Sequence, residues 1–235
     1  MKKYVIIVAG GKGNRFNSEI PKQFVKLIDK PVLMHTILAF YHYQVDIQII
    51  LVLPQDQILY WKQLCDDYKF FINHMIVIGG ETRFHSVKNG LQQVEKACLV
   101  AIHDGVRPLI DSETIETCYL EAAAFGNAIP CIELVDSVRE ILKDGKNFIT
   151  DRTKLRLIQT PQVFQSDLIL RAFEQEYQTF FTDDASVLES VLPNTIRLVN
   201  GKRQNIKITT SEDLKYAEAI LMSKPEQNKQ VDDIT

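Results

Sequence analysis

Three glycines and three cations crowd the segment that follows the first apolar run. It reads Ala9-Gly10-Gly11-Lys12-Gly13-Asn14-Arg15-Phe16, with Pro21-Lys22-Gln23-Phe24 close behind. Glycines let backbone N–H groups converge on an anion, and Lys12, Arg15 and Lys22 add positive charge. A triphosphate carries about four negative charges, so fixed cations plus backbone donors are what it requires. Two other phosphate loops do not fit. No G-x-x-x-x-G-K-[ST] is present, and Phe16 stands where a dinucleotide fingerprint needs its third glycine. A second group with chemical potential is Asp104, just past the apolar run Leu99 to Ile102. That is the carboxyl end of an expected strand, where open α/β sheets place their ligands.

The elements that must hold these groups are legible as short apolar runs alternating with helical patterns. Tyr4 to Ala9, Ile47 to Leu53, Met75 to Ile78 and Leu99 to Ile102 read as strands. They lack in/out alternation, so they are expected to be covered on both faces. Helical spacing marks Val32 to Tyr43, Ile58 to Tyr68 and Val87 to Val94. The alternation predicts an α/β fold with a mostly parallel central sheet flanked by helices and right-handed crossovers. Leu134 to Leu155 breaks the rhythm: it is charged, and Asp144-Gly145 signals a hairpin turn. It reads as a β-arm leaving the core. Further on, helices are expected from Ser166 to Tyr177 and over Ala185 to Val191, and a strand near Ile196 to Val199. A last helix from Ser211 to Met222 opens with a capping box in Thr210-Ser211-Glu212-Asp213. One domain over 1–222 is predicted, with the arm at about 134–155 and a disordered polar tail at 223–235.

The totals narrow the classes. Hydrophobic residues at 46% and charged residues at 24% of 235 suit a soluble globular chain. A net charge of −3 and the lack of a basic-aromatic stripe argue against a nucleic-acid binder. Cys65, Cys98, Cys118 and Cys131 stand far apart without a C-x-x-C pair, which predicts reduced thiols and a cytoplasmic setting. The first apolar run is too short for a signal core, and no stretch approaches the roughly 20 apolar residues of a membrane span.

The motifs together resemble a family. A-G-G-x-G-x-R followed by P-K-Q is similar to the signature of sugar-phosphate nucleotidyltransferases, in particular the 2-C-methyl-D-erythritol 4-phosphate cytidylyltransferases of non-mevalonate isoprenoid synthesis. Gly79-Gly80-Glu81-Thr82-Arg83-Phe84-His85-Ser86-Val87-Lys88-Asn89-Gly90-Leu91 resembles its G-G-x-x-R-x-x-S-V-x-x-G-L. His103-Asp104-Gly105-Val106-Arg107-Pro108, Thr160-Pro161-Gln162-Val163-Phe164, Thr182-Asp183-Asp184-Ala185-Ser186 and Asn205-Ile206-Lys207-Ile208-Thr209 resemble four further pieces in the same order.

The resemblance implies transfer of CMP from CTP to 2-C-methyl-D-erythritol 4-phosphate, with Mg²⁺ or another divalent cation as cofactor. It implies Arg15, Lys22 and Lys207 as the catalytic cations. Ala9, Gly10, Gly11, Gly13, Gly80, Glu81, Ser86, Asp104 and Gly105 would bind CTP. Asp104, Arg107, Ser137, Arg152 and Thr160 would bind the acceptor. No metal ligand is assigned beyond Asp104, since one aspartate suffices where phosphates and water supply the rest. Ser86 also reads as the N-cap of the following helix, and Arg107 as a buried partner of Asp104. Arg83 reads as a phosphate contact or a loop brace. His103 reads as a packing residue, and Asp183 and Asp184 as a helix cap. In similar enzymes the arm swaps across a homodimer, with an arginine such as Arg152 in Thr150-Asp151-Arg152 reaching the partner's site. A ribitol-5-phosphate cytidylyltransferase shares several motifs but not R-x-x-S-V-x-x-G-L or the joined Asp151-Arg152. A non-catalytic nucleotide-binding module of the same fold would predict a damaged loop or a missing Lys207.

Overall fold

The computed structural model describes residues 1–10, 20–193 and 195–223. Gly11, Lys12, Gly13 and Arg15 of the glycine loop, and everything after Ser223, lie outside the described residues.

In chain order the strands and helices are β1 (Lys3–Val8), β2 (Lys26–Leu27), β3 (Lys30–Pro31), α1 (Val32–Tyr43), β4 (Gln48–Leu53), α2 (Ile58–Asp67), β5 (Met75–Ile78), α3 (Arg83–Leu91) and β6 (Leu99–Asp104). Then come α4 (Ser112–Phe125), β7 (Asn127–Glu133), β8 (Val138–Ile141), β9 (Asn147–Thr150), β10 (Arg156–Ile158) and β11 (Gln162–Gln165). The chain closes with α5 (Ser166–Ala172), α6 (Asp184–Val191), β12 (Leu198–Asn200) and α7 (Ser211–Ser223).

The main sheet runs β10-β7-β11-β6-β1-β4-β5, with β12 also paired to β7. Strands β6, β1, β4 and β5 are parallel, as expected. Strand β11 is antiparallel to both β6 and β7 and sits between them. The continuous apolar run of β1 explains why both sheet faces are covered. Val5 and Ile7 join one core with Phe40, Trp61, Ile115 and Tyr119 from α1, α2 and α4. Tyr4 and Ile6 join the other with Val87, Leu91, Ile169 and Leu188 from α3, α5 and α6. Each fully buried isoleucine contributes about 1.5–3 kcal/mol over an exposed one, so three layers follow from the pattern. Edge strand β5 is the exception to the expected two-sided cover: Met75 and Ile78 are about half exposed.

Several boundaries differ from expectation for local reasons. Helix α3 starts four residues before Val87 because Thr82, not Ser86, is its N-cap; the Thr82 side chain accepts from His85 N–H. The helix expected from Ser166 to Tyr177 stops at Ala172. Helix α4 and strands β7, β10 and β11 lie in stretches where the sequence reading placed no element. The signals for α4 were present. The Asp111 side chain caps its start, Gly126 ends it at φ 93°, and Ile115, Cys118, Tyr119 and Ala122 form its buried face. Helix α7 runs one residue further than expected, through Ser223. The capping box is formed: Thr210 Oγ1 accepts from Asp213 N–H (3.3 Å), and Asp213 Oδ2 accepts from Thr210 N–H (2.8 Å).

Strands β8 and β9 make the hairpin, with Gly145 at φ 84° in its turn. Its apolar side chains are uncovered; Ile149 is 84% exposed, and Ile141 and Phe148 are exposed too.

Candidate active site

The carboxyl ends of the parallel strands are stitched into one rim. Ala9 N–H donates to the Val52 carbonyl (3.0 Å), Gly79 N–H to Leu53 (2.8 Å), and Gly105 N–H to Val8 (2.9 Å). The chain leaves β1 towards β4 and β5, then returns to β6 on β1's other side, so this rim spans a topological switch point. A cavity of about 520 Å³ opens instead at the amino ends of the strands, among Tyr4, Tyr41, Asp46, Gln48, His74 and Gln93. It gathers no cations; the charged chemistry lies at the carboxyl rim.

On the rim, Ala9 and Gly10 lead into the glycine loop. Buried Gln23 donates through Nε2 to the Ala9 carbonyl (2.9 Å) and to Gln57 Oε1 (2.7 Å). This fixes the short 3₁₀ turn Lys22–Phe24 against the base of the loop and brings Lys22 there. Gly105 must be small: a Cβ would stand 2.9 Å from the Ala9 Cβ. Gly80 is tighter still, since a Cβ there would meet the His85 Cβ at 2.4 Å. The Ser86 hydroxyl accepts from Gly80 N–H (3.1 Å) and donates to the Thr82 carbonyl (3.0 Å). Ser86 therefore braces the loop that Gly80 and exposed Glu81 form, rather than capping α3.

Asp104 is the electrostatic centre. Its Oδ2 lies 3.0 Å from Lys207 Nζ and 3.3 Å from Arg107 Nε, and its Oδ1 lies 3.6 Å from Arg83 Nε. Burial pushes this carboxyl up, but Arg83, Lys207 and Arg107 outweigh it and hold it well below the usual carboxylate range. Arg107, only 12% exposed at its side chain, also donates through Nη1 to the Asn205 carbonyl (2.8 Å). Burial lowers its pKa against the pull of Asp104. Asn205 in turn donates to the Thr160 carbonyl (2.8 Å), so the Asn205–Thr209 segment is anchored and Lys207 projects towards Asp104.

Thr160 is buried beneath this cluster. Its hydroxyl accepts from Asp104 N–H (3.1 Å) and lies 3.1 Å from His103 Nδ1. His103 also lies 3.2 Å from the Arg107 carbonyl through Nε2. One assignment satisfies all three: Thr160 donates to Nδ1 and Nε2–H donates to Arg107. Burial pushes the imidazole pKa down to about 3, which agrees with a neutral ring. His103 is thus a packing residue that also hydrogen-bonds the loop.

The sequence left Arg83 undecided and read Asp184 as part of a helix cap; the fold pairs the two. Arg83 Nη1 and Nη2 donate to Asp184 Oδ1 and Oδ2 at 2.8 and 2.6 Å, and Asp184 is 1% exposed. Of the two aspartates read as a helix cap, only Asp183 serves as one, within a capping box with Ser186. Nothing in the spacing of residues 83 and 184 signals this contact. Ser137 and Arg152 lie on the arm. Both are exposed, Arg152 donates to the Val135 carbonyl, and among the described residues neither bonds to the Asp104 cluster.

Three cations against two carboxylates, facing a glycine rim, suit a polyanion. The whole chain can be compared with known proteins on that footing. A family model described as "IspD: 2-C-methyl-D-erythritol 4-phosphate cytidylyltransferase" matches residues 3–223. The chain belongs to this cytidylyltransferase family. A Bacteroides fragilis relative carrying the same name is 51% identical over 222 residues, 94% of this chain and 100% of that protein. A Porphyromonas gingivalis relative of the same name is 46% identical, covering 94% and 99%. The crystal structure of the Anaerococcus prevotii 4-diphosphocytidyl-2C-methyl-D-erythritol synthase superposes with a TM-score of 0.79 at 29% identity, covering 94% of this chain and 96% of that one. The family's nucleotidyltransferase fold is the three-layer sheet described above.

A divalent cation fits this rim only as a passenger of the nucleotide. Among the described residues no group of three His, Cys, Asp or Glu side chains stands together, so phosphate oxygens would supply most ligands. Asp104 offers one carboxylate. No helix among the described residues is long and apolar enough to cross a membrane.

Proposed function

We propose that this enzyme performs its family's reaction, CTP plus 2-C-methyl-D-erythritol 4-phosphate giving 4-diphosphocytidyl-2-C-methyl-D-erythritol and pyrophosphate, at the rim around Asp104. A phosphate oxygen of the acceptor attacks the α-phosphorus of CTP. The new P–O bond forms as the bond to the β-phosphate oxygen breaks, and pyrophosphate leaves. No covalent enzyme intermediate is needed; positioning and charge neutralisation carry the rate.

In this reading Ala9, Gly10, Gly11 and Gly13 present backbone to the triphosphate, with Gly105 packed against Ala9. Arg15 and Lys22 neutralise charge building on the leaving pyrophosphate. Lys207 reaches the α-phosphate. Gly80 and Glu81 backbone groups, braced by the Ser86 hydroxyl, meet the cytosine edge. Asp104 serves the ribose and the acceptor, held by Arg107 and by the Thr160 hydroxyl beneath it. Mg²⁺, when bound, would be held by Asp104 together with the substrate's phosphates and would supply neutralising charge there. Ser137 and Arg152 serve an acceptor across a homodimer by arm exchange, which the uncovered apolar side chains of the hairpin favour. A cytoplasmic setting agrees with four free thiols.

The observation that carries the reading is the convergence of Arg83, Arg107 and Lys207 on one buried carboxylate at the switch point. The deciding assay is pyrophosphate release with CTP and Mg²⁺, comparing 2-C-methyl-D-erythritol 4-phosphate with ribitol 5-phosphate. Preference for the former by more than about tenfold in kcat/KM is expected, a difference above about 1.4 kcal/mol. Preference for ribitol 5-phosphate would overturn the acceptor.

A further inference from the structure

Asp184 is a buried carboxylate beside the site to which the reaction as written gives no task. It lies in the first turn of α6, and that turn is pinned from the sheet. Buried Gln162 donates through Nε2 to Asp183 Oδ2 (2.8 Å) and accepts from Ala185 N–H (2.8 Å). Gln162 opens β11 two residues after Thr160, whose hydroxyl takes the Asp104 N–H. The same short stretch therefore sets the positions of Asp104 and Asp184. Between them stands Arg83, the first residue of α3, with its fork wholly on Asp184 and its Nε 3.6 Å from Asp104 Oδ1.

The division of Asp104's two oxygens follows from this. Oδ2 is taken by Lys207 and Arg107 at close range, whereas Oδ1 has only the distant Nε of Arg83 among these cations. A guanidinium fork prefers a bidentate carboxylate, and Asp104 is the next one within reach. Without the charge of Asp184, the fork would turn to Asp104 and take Oδ1.

We propose that Asp184 is a positioning residue for nucleotidyl transfer: by holding the Arg83 fork it keeps Asp104 Oδ1 open to the bound nucleotide. This rests on the reading that Asp104 serves the ribose. Arg83 is then a braced cation, not a phosphate ligand.

The test is a double-mutant cycle on the full chain, read by pyrophosphate release with CTP, Mg²⁺ and acceptor well below the melting temperature. Asp184→Asn is expected to lower kcat/KM for CTP by about tenfold or more, and to weaken acceptor binding as well, since Asp104 serves both. Arg83→Gln alone should cost less than about tenfold, because Lys207 and Arg107 still hold Asp104. On the Arg83→Gln background, which has no fork to restrain, Asp184→Asn should change kcat/KM by less than about twofold. This last comparison stands even if the single Asp184→Asn chain fails to fold, since the double variant leaves no cation unpaired. The proposal is overturned if folded Asp184→Asn keeps wild-type kcat/KM, or if the double variant falls about tenfold below Arg83→Gln. It is overturned as well if Arg83→Gln alone loses more than about a hundredfold, which would put Arg83 on the substrate. Failure of the wild-type chain to release pyrophosphate from CTP would instead sink the underlying reading.

Discussion

Around Asp104 the chain supplies nearly everything a phosphoryl site needs, whereas along the β8–β9 arm it leaves most of its surface uncompleted. In the cluster, side chains from residues 83, 107 and 207 meet one carboxylate, and the Thr160 hydroxyl takes the backbone N–H of the same residue. On the arm, Ile141, Phe148 and Ile149 are exposed, and the Arg152 side chain donates to the nearby Val135 carbonyl. A preorganised centre acts without reorganising at the moment of reaction. An uncovered apolar hairpin of only two strands is marginal in water and gains from a covering surface. On the proposed reading, the nucleotide half of the site is built within one chain, and the acceptor half is where a second chain would matter.

Substitutions that break the preorganised half should have the largest effects. Lys207→Ala removes the cation beside Asp104 that is proposed to reach the α-phosphate, and kcat is expected to fall about 10²–10³-fold in steady-state assays. Lys22→Ala should fall in the same range. Turnover within a few-fold of wild type for both would dissolve the contrast. Arg152→Ala comes next, because it removes a charged hydrogen-bonding fork of about 1.5–3 kcal/mol. The acceptor KM should rise about 10–100-fold while the KM for CTP holds. Mixing Arg152→Ala and Lys22→Ala chains at low acceptor concentration sharpens the point, since activity rises above that of either variant alone only if sites are shared between subunits.

A third comparison uses pH. His103 is neutral in the fold with its pKa pushed down by burial to about 3, while the unfolded chain takes a proton near 6.5. The unfolded state therefore binds more protons between those values, so stability is greatest above about pH 6.5 and falls as pH drops. By pH 5 the loss from His103 is about 2 kcal/mol. Denaturant midpoints at pH 7 and 5 should show it, and His103→Gln should flatten the slope. The remainder comes from groups such as His74, which burial also holds down. The carboxyl of Asp104 is held low in the fold, so its contribution is present above the ordinary carboxylate range and is lost only at lower pH. The smallest effect is on the arm. Ile149→Ser should leave the stability of the isolated chain within about 0.5 kcal/mol, since the side chain is 84% exposed, yet it should weaken any dimer seen by sedimentation.

The two regions also differed in how far they could be read from the chain. The parallel half of the sheet was legible because its apolar runs are continuous, and α1 and β5 fall on the expected residues. The stretch from Val106 to Glu133 yielded no element, although Asp111 and Gly126 bracket a full helix. Strand β11 has only Val163 and Phe164 as apolar residues between two glutamines, too little pattern to announce a strand. Its place between β6 and β7 depends on pairings that no local pattern encodes.

By itself the sequence determined which residues carry charge, which loops must be glycine-rich, and the order of motifs that marks the family. Local propensity and residue chemistry are enough for that. Only the tertiary structure decided that Arg83 is spent on Asp184, that the Thr160 hydroxyl supports Asp104 from below, and that Ser86 braces its loop instead of capping α3. These are contacts between groups as far as 101 residues apart. They exist because burial makes an unpartnered polar group costly, and the fold dictates which partners are within reach.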